Sequence, residues 1–206
     1  MDIRTAKFET SATNCKKMMG SGKPEIAFVG RSNVGKSTLI NMLTKQKKLC
    51  KTGSTPGRTR LINYFLINDG VYFVDLPGYG YAKASKQEVD GWQGMIEPYL
   101  VENEALKCVC MLVDSRIEPT AQDKQMLKFL NYYQIPFIII ATKCDKFGKS
   151  QIKPQMQKIA NFLGVGKDNV FASSGDNGYG RLEILKKFDQ FLNVEDELEE
   201  DNQIEE

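Results

Sequence analysis

The segment Gly30-Arg31-Ser32-Asn33-Val34-Gly35-Lys36-Ser37 constrains the chain more than any other. It fits the pattern G-x-x-x-x-G-K-[ST], follows the buried-strand run Glu25 to Gly30 (EIAFVG), and opens a helical stretch from Lys36 to about Lys45. A glycine-rich turn between a strand and a helix curls so that its N–H groups face a polyphosphate, and the helix start adds the positive end of a dipole. Lys36 then reaches the β- and γ-phosphates, and the Ser37 hydroxyl is placed to bind Mg²⁺. A random chain of this length shows the pattern roughly once in a hundred, given ordinary glycine usage. The strand before it and the helix after it lower that further.

The rest of the chain supplies the fold that such a turn needs. Leu61 to Ile67 and Val71 to Asp75 flank Asn68-Asp69-Gly70, a hairpin signal. Helical patterns at Gln87 to Val101, Pro119 to Tyr133, Lys153 to Leu163 and Gly180 to Leu192 alternate with apolar runs at Lys107 to Val113, Pro136 to Ala141 and Asn169 to Ala172. That alternation predicts an α/β fold: a mostly parallel sheet covered on both faces, with ligands at the carboxyl ends of the strands. A chain of 206 residues fits one such domain. The expected division is an N-terminal extension over 1–24 packing on the core, a nucleotide-binding domain over 25–192, and an acidic tail over 193–206 expected to be disordered.

Every further motif falls at a strand end. Asp75-Leu76-Pro77-Gly78 closes the hairpin's second strand. Its acid is placed to hold Mg²⁺ through water, and its Gly78 N–H to meet the γ-phosphate. Thr142-Lys143-Cys144-Asp145 follows the strand ending at Ala141. A carboxylate there accepts hydrogen bonds from guanine N1–H and the 2-amino group, a pattern that adenine reverses. The Lys143 stem is expected over the base, and Thr142, where many GTPases have Asn, is expected to make a lesser contact through its hydroxyl. Ala172-Ser173-Ser174 follows the last strand, with N–H groups for the guanine O6. The polar stretch from Lys51 to Thr59 reads as a mobile switch loop. Thr59 is the chosen second Mg²⁺ ligand and Thr55 the alternative, and nucleotide contacts are expected across Gly57, Arg58, Thr59, Arg60 and Leu61. Lys36, Thr59 and Gly78 are the expected catalytic positions.

These stretches, GRSNVGKS, STPGRT (Ser54 to Thr59), DLPGYGYAK (Asp75 to Lys83) and TKCD, resemble the EngB (YihA/YsxC) family of bacterial ribosome-biogenesis GTPases, among the TrmE-Era-EngA-YihA-septin-like proteins. The resemblance covers about residues 5–192. It implies a Ras-like six-stranded sheet in the order 2-3-1-4-5-6 with strand 2 antiparallel, Ser37 and Thr59 on Mg²⁺, and GTP or GDP as ligand. It also implies a role in assembling the large ribosomal subunit, with a link to cell division and septation. Ras-like proteins place a glutamine after D-x-x-G to orient water; here Tyr79 stands there, so slow intrinsic hydrolysis is expected. Asn33 resembles the P-loop asparagine that binds K⁺ in related GTPases. Tyr79, Tyr81, Lys83, Lys86 and Trp92 are read either as a partner surface or as packing residues.

Composition excludes competing chemistry. The chain has no histidine, which removes Ser-His-Asp and Cys-His nucleophiles and nearly all zinc enzymes. Cys15, Cys50, Cys108, Cys110 and Cys144 lack zinc-type spacing and read as thiols of a reducing compartment, with Cys108 and Cys110 in a core strand. No apolar run approaches the roughly 20 residues of a membrane span, and no signal peptide or prenylation site is evident, so a cytoplasmic protein is expected. From Glu195 onward the chain carries eight acids and no base, which leaves residues 1–194 at +10. A basic body attracts a phosphate-rich partner. The partner expected is the large-subunit precursor, rRNA and proteins, with no DNA and no membrane, the chain itself being monomeric. A P-loop ATPase or kinase and a membrane-trafficking GTPase are the competing readings; the first gives no reason for TKCD, and the second fits poorly with a chain lacking a lipidation site.

Overall fold

The computed structural model describes residues 1–12, 22–50, 61–79 and 86–193, the side chains of 86–93 excepted. Seven strands form one sheet: β1 (Ala6–Ala12), β2 (Glu25–Gly30), β3 (Ile62–Ile67), β4 (Val71–Asp75), β5 (Leu106–Asp114), β6 (Phe137–Thr142) and β7 (Val170–Ala172). They lie in the order β1-β3-β4-β2-β5-β6-β7. Among the described residues the α-helices are α1 (Lys36–Thr44), α2 (Lys86–Glu102), α3 (Ala121–Tyr132), α4 (Lys149–Leu163) and α5 (Arg181–Leu192).

The six strands expected from the sequence take the expected order, with β3 antiparallel to β4 and the pairs from β4 to β7 parallel. The strand not anticipated is β1. Within the expected extension over 1–24, Met1, Ile3 and Ala6 pack on the core, and residues 6–12 also pair antiparallel with β3 and become the sheet edge. The hairpin turn fixes this. Asn68 and Asp69 both take positive φ, 50° and 55°, a conformation that Asn and Asp tolerate. The Asn68 carboxamide thereby faces the N-terminus. Its Oδ1 accepts from the N–H groups of Arg4 and Thr5 at 2.8 and 3.0 Å, and its Nδ2 donates to the Asp2 carbonyl at 2.7 Å.

Alternation along the central strands splits the core in two. Ile26 and Phe28 of β2, Cys108, Cys110 and Leu112 of β5, and Ile138 and Ile140 of β6 face α1 and α5. Ala27 and Val29, Val109, Met111 and Val113, and Ile139 and Ala141 face α2, α3 and α4. Both faces of these strands are covered, which is why they read as unbroken apolar runs. Phe28, Phe73 and Phe188 meet edge to face at 5.2 to 6.1 Å and lock α5 to the sheet. Cys108 and Cys110 are buried free thiols, as read from the strand pattern, and Cys50 and Cys144 are buried and free too; Cys15 lies outside the described residues. On the opposite face Glu25 is fully buried at the start of β2, with Oε2 accepting from the Tyr99 hydroxyl at 2.7 Å and from Asn103 Nδ2 at 2.9 Å, which ties the end of α2 to the sheet.

Helix α4 begins at Lys149 rather than Lys153, so Pro154 sits inside it. The carbonyl that proline leaves without a donor is that of Ser150, an exposed residue where water can serve. Helix α3 opens with a capping box, Thr120 Oγ1 accepting from the Asp123 N–H and Asp123 accepting from the Thr120 N–H. After α1, Asn41 organises the exit of the chain. It donates to the carbonyls of Lys47 and Cys50 at 3.1 and 2.9 Å and accepts from the Cys50 N–H at 2.7 Å. Truncating it strands three backbone groups in a largely buried place. Asn41→Ala is expected to cost about 2–3 kcal/mol and to lower Tm by roughly 5–10 °C, measured by circular dichroism melting.

Candidate functional site

The site is built where β2, β4, β5, β6 and β7 end. Gly35 takes φ 108° as the N-cap of α1, a left-handed conformation that a side chain rarely adopts. That turn aims the first N–H groups of α1 outward. Lys36 leaves the helix start and forms an ion pair with Asp75 at the tip of β4; both side chains are mostly buried. The sequence-assigned phosphate lysine and strand-tip acid are therefore neighbours.

The turn after β2 and the turn after β4 are laced together through backbone. Leu76 N–H donates to the Phe28 carbonyl, Tyr79 N–H to the Gly30 carbonyl and Ser32 N–H to the Tyr79 carbonyl, each at 3.1 Å. At Gly78 an added Cβ would stand 3.1 Å from both the Gly30 oxygen and the Ser32 nitrogen. Glycine suits this position because a side chain would force one of the two backbones to give by a few tenths of an ångström. The Ser32 hydroxyl beside it is buried and has no hydrogen-bond partner among the described residues.

Tyr79 resolves one open reading. Its ring is buried, and its hydroxyl donates to Asp123 Oδ1 at 2.7 Å, on the acid that also caps α3. Burial and the adjacent Asp123 charge push its pKa well up. Tyr79 is a packing residue that fastens the DLPG turn to α3. Tyr81 and Lys83, and the side chains of Lys86 and Trp92, lie outside the described residues, as do Thr55, Gly57, Arg58, Thr59 and Arg60. Leu61 is described and partly buried just before β3.

Thr142 is buried at the end of β6. Its hydroxyl donates to the Val34 carbonyl at 2.6 Å and lies 3.2 Å from the Val113 carbonyl, joining β6, β5 and the phosphate turn at one oxygen. Lys143, at φ 63°, donates to the Asn33 carbonyl at 2.9 Å and to Asp114 Oδ2 at 2.8 Å. Asp114 also accepts from Arg116 Nε and Nη2 at 2.9 and 2.8 Å. Burial raises the Asp114 pKa, but the hydrogen bonds from Arg116 and Lys143 outweigh it and leave the carboxyl strongly acidic. Asp145 accepts from Lys146 at 2.7 Å and from the Ser174 hydroxyl at 2.8 Å, and these two donors, Lys146 first, hold it below the usual carboxylate range. Cys144 N–H donates to the Ser173 carbonyl and Ser173 N–H to the Ala141 carbonyl, so Ala172-Ser173-Ser174 lies against TKCD.

Cys50 stands at the base of the polar loop, its thiol 3.8 Å from Asp75 Oδ2 and hydrogen-bonded to the Ser37 side chain. Burial and the Asp75 charge push it up to about 12, so it stays a neutral thiol at physiological pH. One sulfur thus neighbours both the Ser37 hydroxyl and the Asp75 carboxylate, which brings two hard oxygen donors close together. Such a pair suits a magnesium ion that takes most of its shell from water and phosphate. Among the described residues no cluster of three acid, cysteine or histidine side chains offers another metal site.

Sequence reasoning missed Asp114, Arg116, Asn41 and the Thr120–Asp123 box. The box had a readable signal, T-x-x-D before a helix; Asp114 had a weaker one, an acid at the end of a central strand. Because Tyr79 works through Asp123, Tyr79→Phe is expected to lower stability by about 1–2 kcal/mol while guanine-nucleotide affinity and turnover hold. Thermal melting alongside nucleotide titration and a phosphate-release assay checks this; a collapse of turnover in a stable variant would make Tyr79 a participant in the chemistry.

Comparison with known proteins points the same way. The family model described as "50S ribosome-binding GTPase" matches residues 25–143. The "Probable GTP-binding protein EngB" of Desulforamulus reducens is 50% identical over 194 residues, covering 93% of this chain and 95% of that protein. The protein of the same name from Clostridium kluyveri is 48% identical over 193 residues, covering 93% and 98%. Among solved structures, that of a probable GTP-binding protein EngB matches with TM-score 0.68 at 24% identity, over 82% of this chain and 98% of that one. The structure of Era with MgGDPNP and a segment of 16S ribosomal RNA matches with TM-score 0.61 at 24% identity, over 82% and 56%. At those identities the structures attest the fold.

Proposed function

The chain belongs to the EngB family of GTP-binding proteins, and on that premise we propose that it is a Mg²⁺-dependent GTPase switch of slow intrinsic turnover. It acts on the precursor of the large ribosomal subunit and is needed for normal cell division and septation. The observation that carries the nucleotide part is the pair of bonds from Thr142 to Val34 and from Lys143 to Asn33. They join the base-reading motif directly to the phosphate turn, so one ligand can span both.

In that reading the N–H groups of Gly30 to Ser37 and the Lys36 ammonium bind the phosphates. The buried Ser32 hydroxyl and the Gly78 N–H lie beside the same turn. Asp145, kept ionised by Lys146 and Ser174, accepts from the guanine edge, and the backbone of Ala172 to Ser174 meets O6. Ser37, with Thr59 from the polar loop, would hold Mg²⁺, and Asp75 would act through water. The ion supplies neutralisation of charge on the β- and γ-oxygens. Lys36 and the turn amides hold developing charge in place without reorganisation. With Tyr79 bonded into α3, the position after DLPG offers no side chain to orient water, which supports slow turnover.

The ribosomal part is supported by the family description as 50S ribosome-binding and by the +10 body over residues 1–194. The link to cell division rests on the family resemblance alone. No helix among the described residues is long and apolar enough to cross a membrane.

Two experiments test the nucleotide reading. Isothermal titration is expected to show binding of GDP and GTP, Mg²⁺-dependent for GTP, and none of ATP. Asp145→Ala should weaken GDP by roughly a hundredfold or more, because two hydrogen bonds to a charged group are lost; preference for ATP would sink the proposal. Asn33 is further proposed to place a K⁺ ion at the phosphates, in the role of an arginine finger. Hydrolysis is then faster in K⁺ than in Na⁺ buffer, and equal rates would discard the ion.

A further inference from the structure

Helices α3 and α4 carry a surface that the nucleotide site does not use. Five exposed lysines lie on them: Lys124 and Lys128 on α3, and Lys149, Lys153 and Lys158 on α4. Neither helix exposes an acid. The lone acid of α3, Asp123, is buried in its cap, and α4 has none. Helix α5, on the other side of the sheet, mixes Glu183 and Asp189 with Lys186 and Lys187, as an ordinary solvated helix does.

The lysines are ordered. Lys124, Lys128 and Tyr132 follow at four-residue intervals and so form one row along α3. The Lys124 ammonium sits 3.8 Å from the centre of the Phe162 ring, which closes α3 onto α4. Lys158 is one turn before Phe162 and therefore borders the same seam. Neither Lys128 nor Lys158 forms an ion pair among the described residues. At the end of the row Tyr132 is 80% exposed. Its ring is nevertheless held, edge on to Tyr133 at 4.9 Å, and Tyr133 in turn lies 4.7 Å from Phe129.

We propose that this α3–α4 seam binds single-stranded RNA, with Lys124, Lys128 and Lys158 on phosphates and Tyr132 stacking on a base. Exposed like charges repel only weakly in water, and a bound polyanion turns that repulsion into attraction. An acidic protein would meet the lysines too, but a braced, bare aromatic ring at the end of a lysine row is the pairing that unpaired bases and their phosphates use. The inference deepens the ribosomal reading and rests on it for the biological source of the RNA.

The test uses the full chain and a fluorescein-labelled single-stranded RNA of about 20 nucleotides, with polyglutamate as competitor, and separately co-sedimentation with large-subunit precursor particles. Lys124→Glu/Lys128→Glu/Lys158→Glu should weaken RNA binding by about tenfold or more, and should flatten the dependence of log Kd on log salt by about 2. Tyr132→Ala should weaken RNA binding and leave any polyglutamate competition unchanged. Lys186→Glu on α5 is the control and should bind like the parent; all variants should keep GDP affinity, and the triple variant, which loses the Lys124–Phe162 contact, should melt at most about 4 °C below the parent. Parent protein that binds no RNA, RNA binding unmoved by the triple change, or polyglutamate competing as well as RNA would each overturn the proposal. Loss of RNA binding in the variant, with no co-sedimentation even for the parent, would leave the seam standing and count against the ribosomal reading.

Discussion

The closeness of two backbones governs this molecule. The turn after β2 and the turn after β4 come together at Gly78 and are held by reciprocal hydrogen bonds between Gly30, Ser32 and Tyr79. Parallel strands β2 and β4 deliver both turns to the same edge of the sheet, and their carbonyls are then used up in pairing across the gap. The phosphate turn is therefore shaped from outside as well as by its own glycines. A side chain at Gly78 would press on both turns at once, since its Cβ would stand 3.1 Å from the backbone of each.

A second set of ties comes from the other direction. β5 and β6 end beside the same turn, and Thr142, Lys143 and Asp114 convert that proximity into hydrogen bonds. In a site where asparagine is usual, threonine suffices because its single hydroxyl needs only to donate to the Val34 carbonyl and sit near that of Val113. Beside it the Lys143 ammonium reaches the Asn33 carbonyl and is steadied by Asp114. Asp114 stays ionised because Arg116 and Lys143 both bond to it, so the steadying charge persists across physiological pH.

The sequence told most about what is periodic or glycine-bound. The buried strands β2, β5 and β6 were legible because both their faces are covered, and the nucleotide motifs because glycine and lysine spacing at a strand end has few other uses. Contacts set by tertiary packing were not legible. β1 is a half-exposed edge strand whose place depends on the Asn68 side chain, and no local pattern announces that. Tyr79 reads equally as a surface or a core residue until α3 is seen to bring Asp123 to its hydroxyl. Cys50 reads only as a reduced thiol without zinc-type spacing, yet it stands beside Ser37 and Asp75, with Asn41 holding its backbone.

The Tyr79–Asp123 bond also explains how the two halves of the proposal belong to one machine. Asp123 is shared: one oxygen receives the Tyr79 hydroxyl and the other caps the first turn of α3 with Thr120. Whatever shifts the DLPG turn must either drag the start of α3 or break a buried, charge-assisted bond, and a packed helix moves as a unit more readily than it sheds such a bond. The lysine row lies on that same helix. A γ-phosphate contact at Gly78 would thus be felt one residue away at Tyr79, and through Asp123 along the axis of α3. If Gly78 meets a γ-phosphate, a nucleotide-dependent change in RNA affinity would need no further moving part than the helix clamped to the DLPG turn.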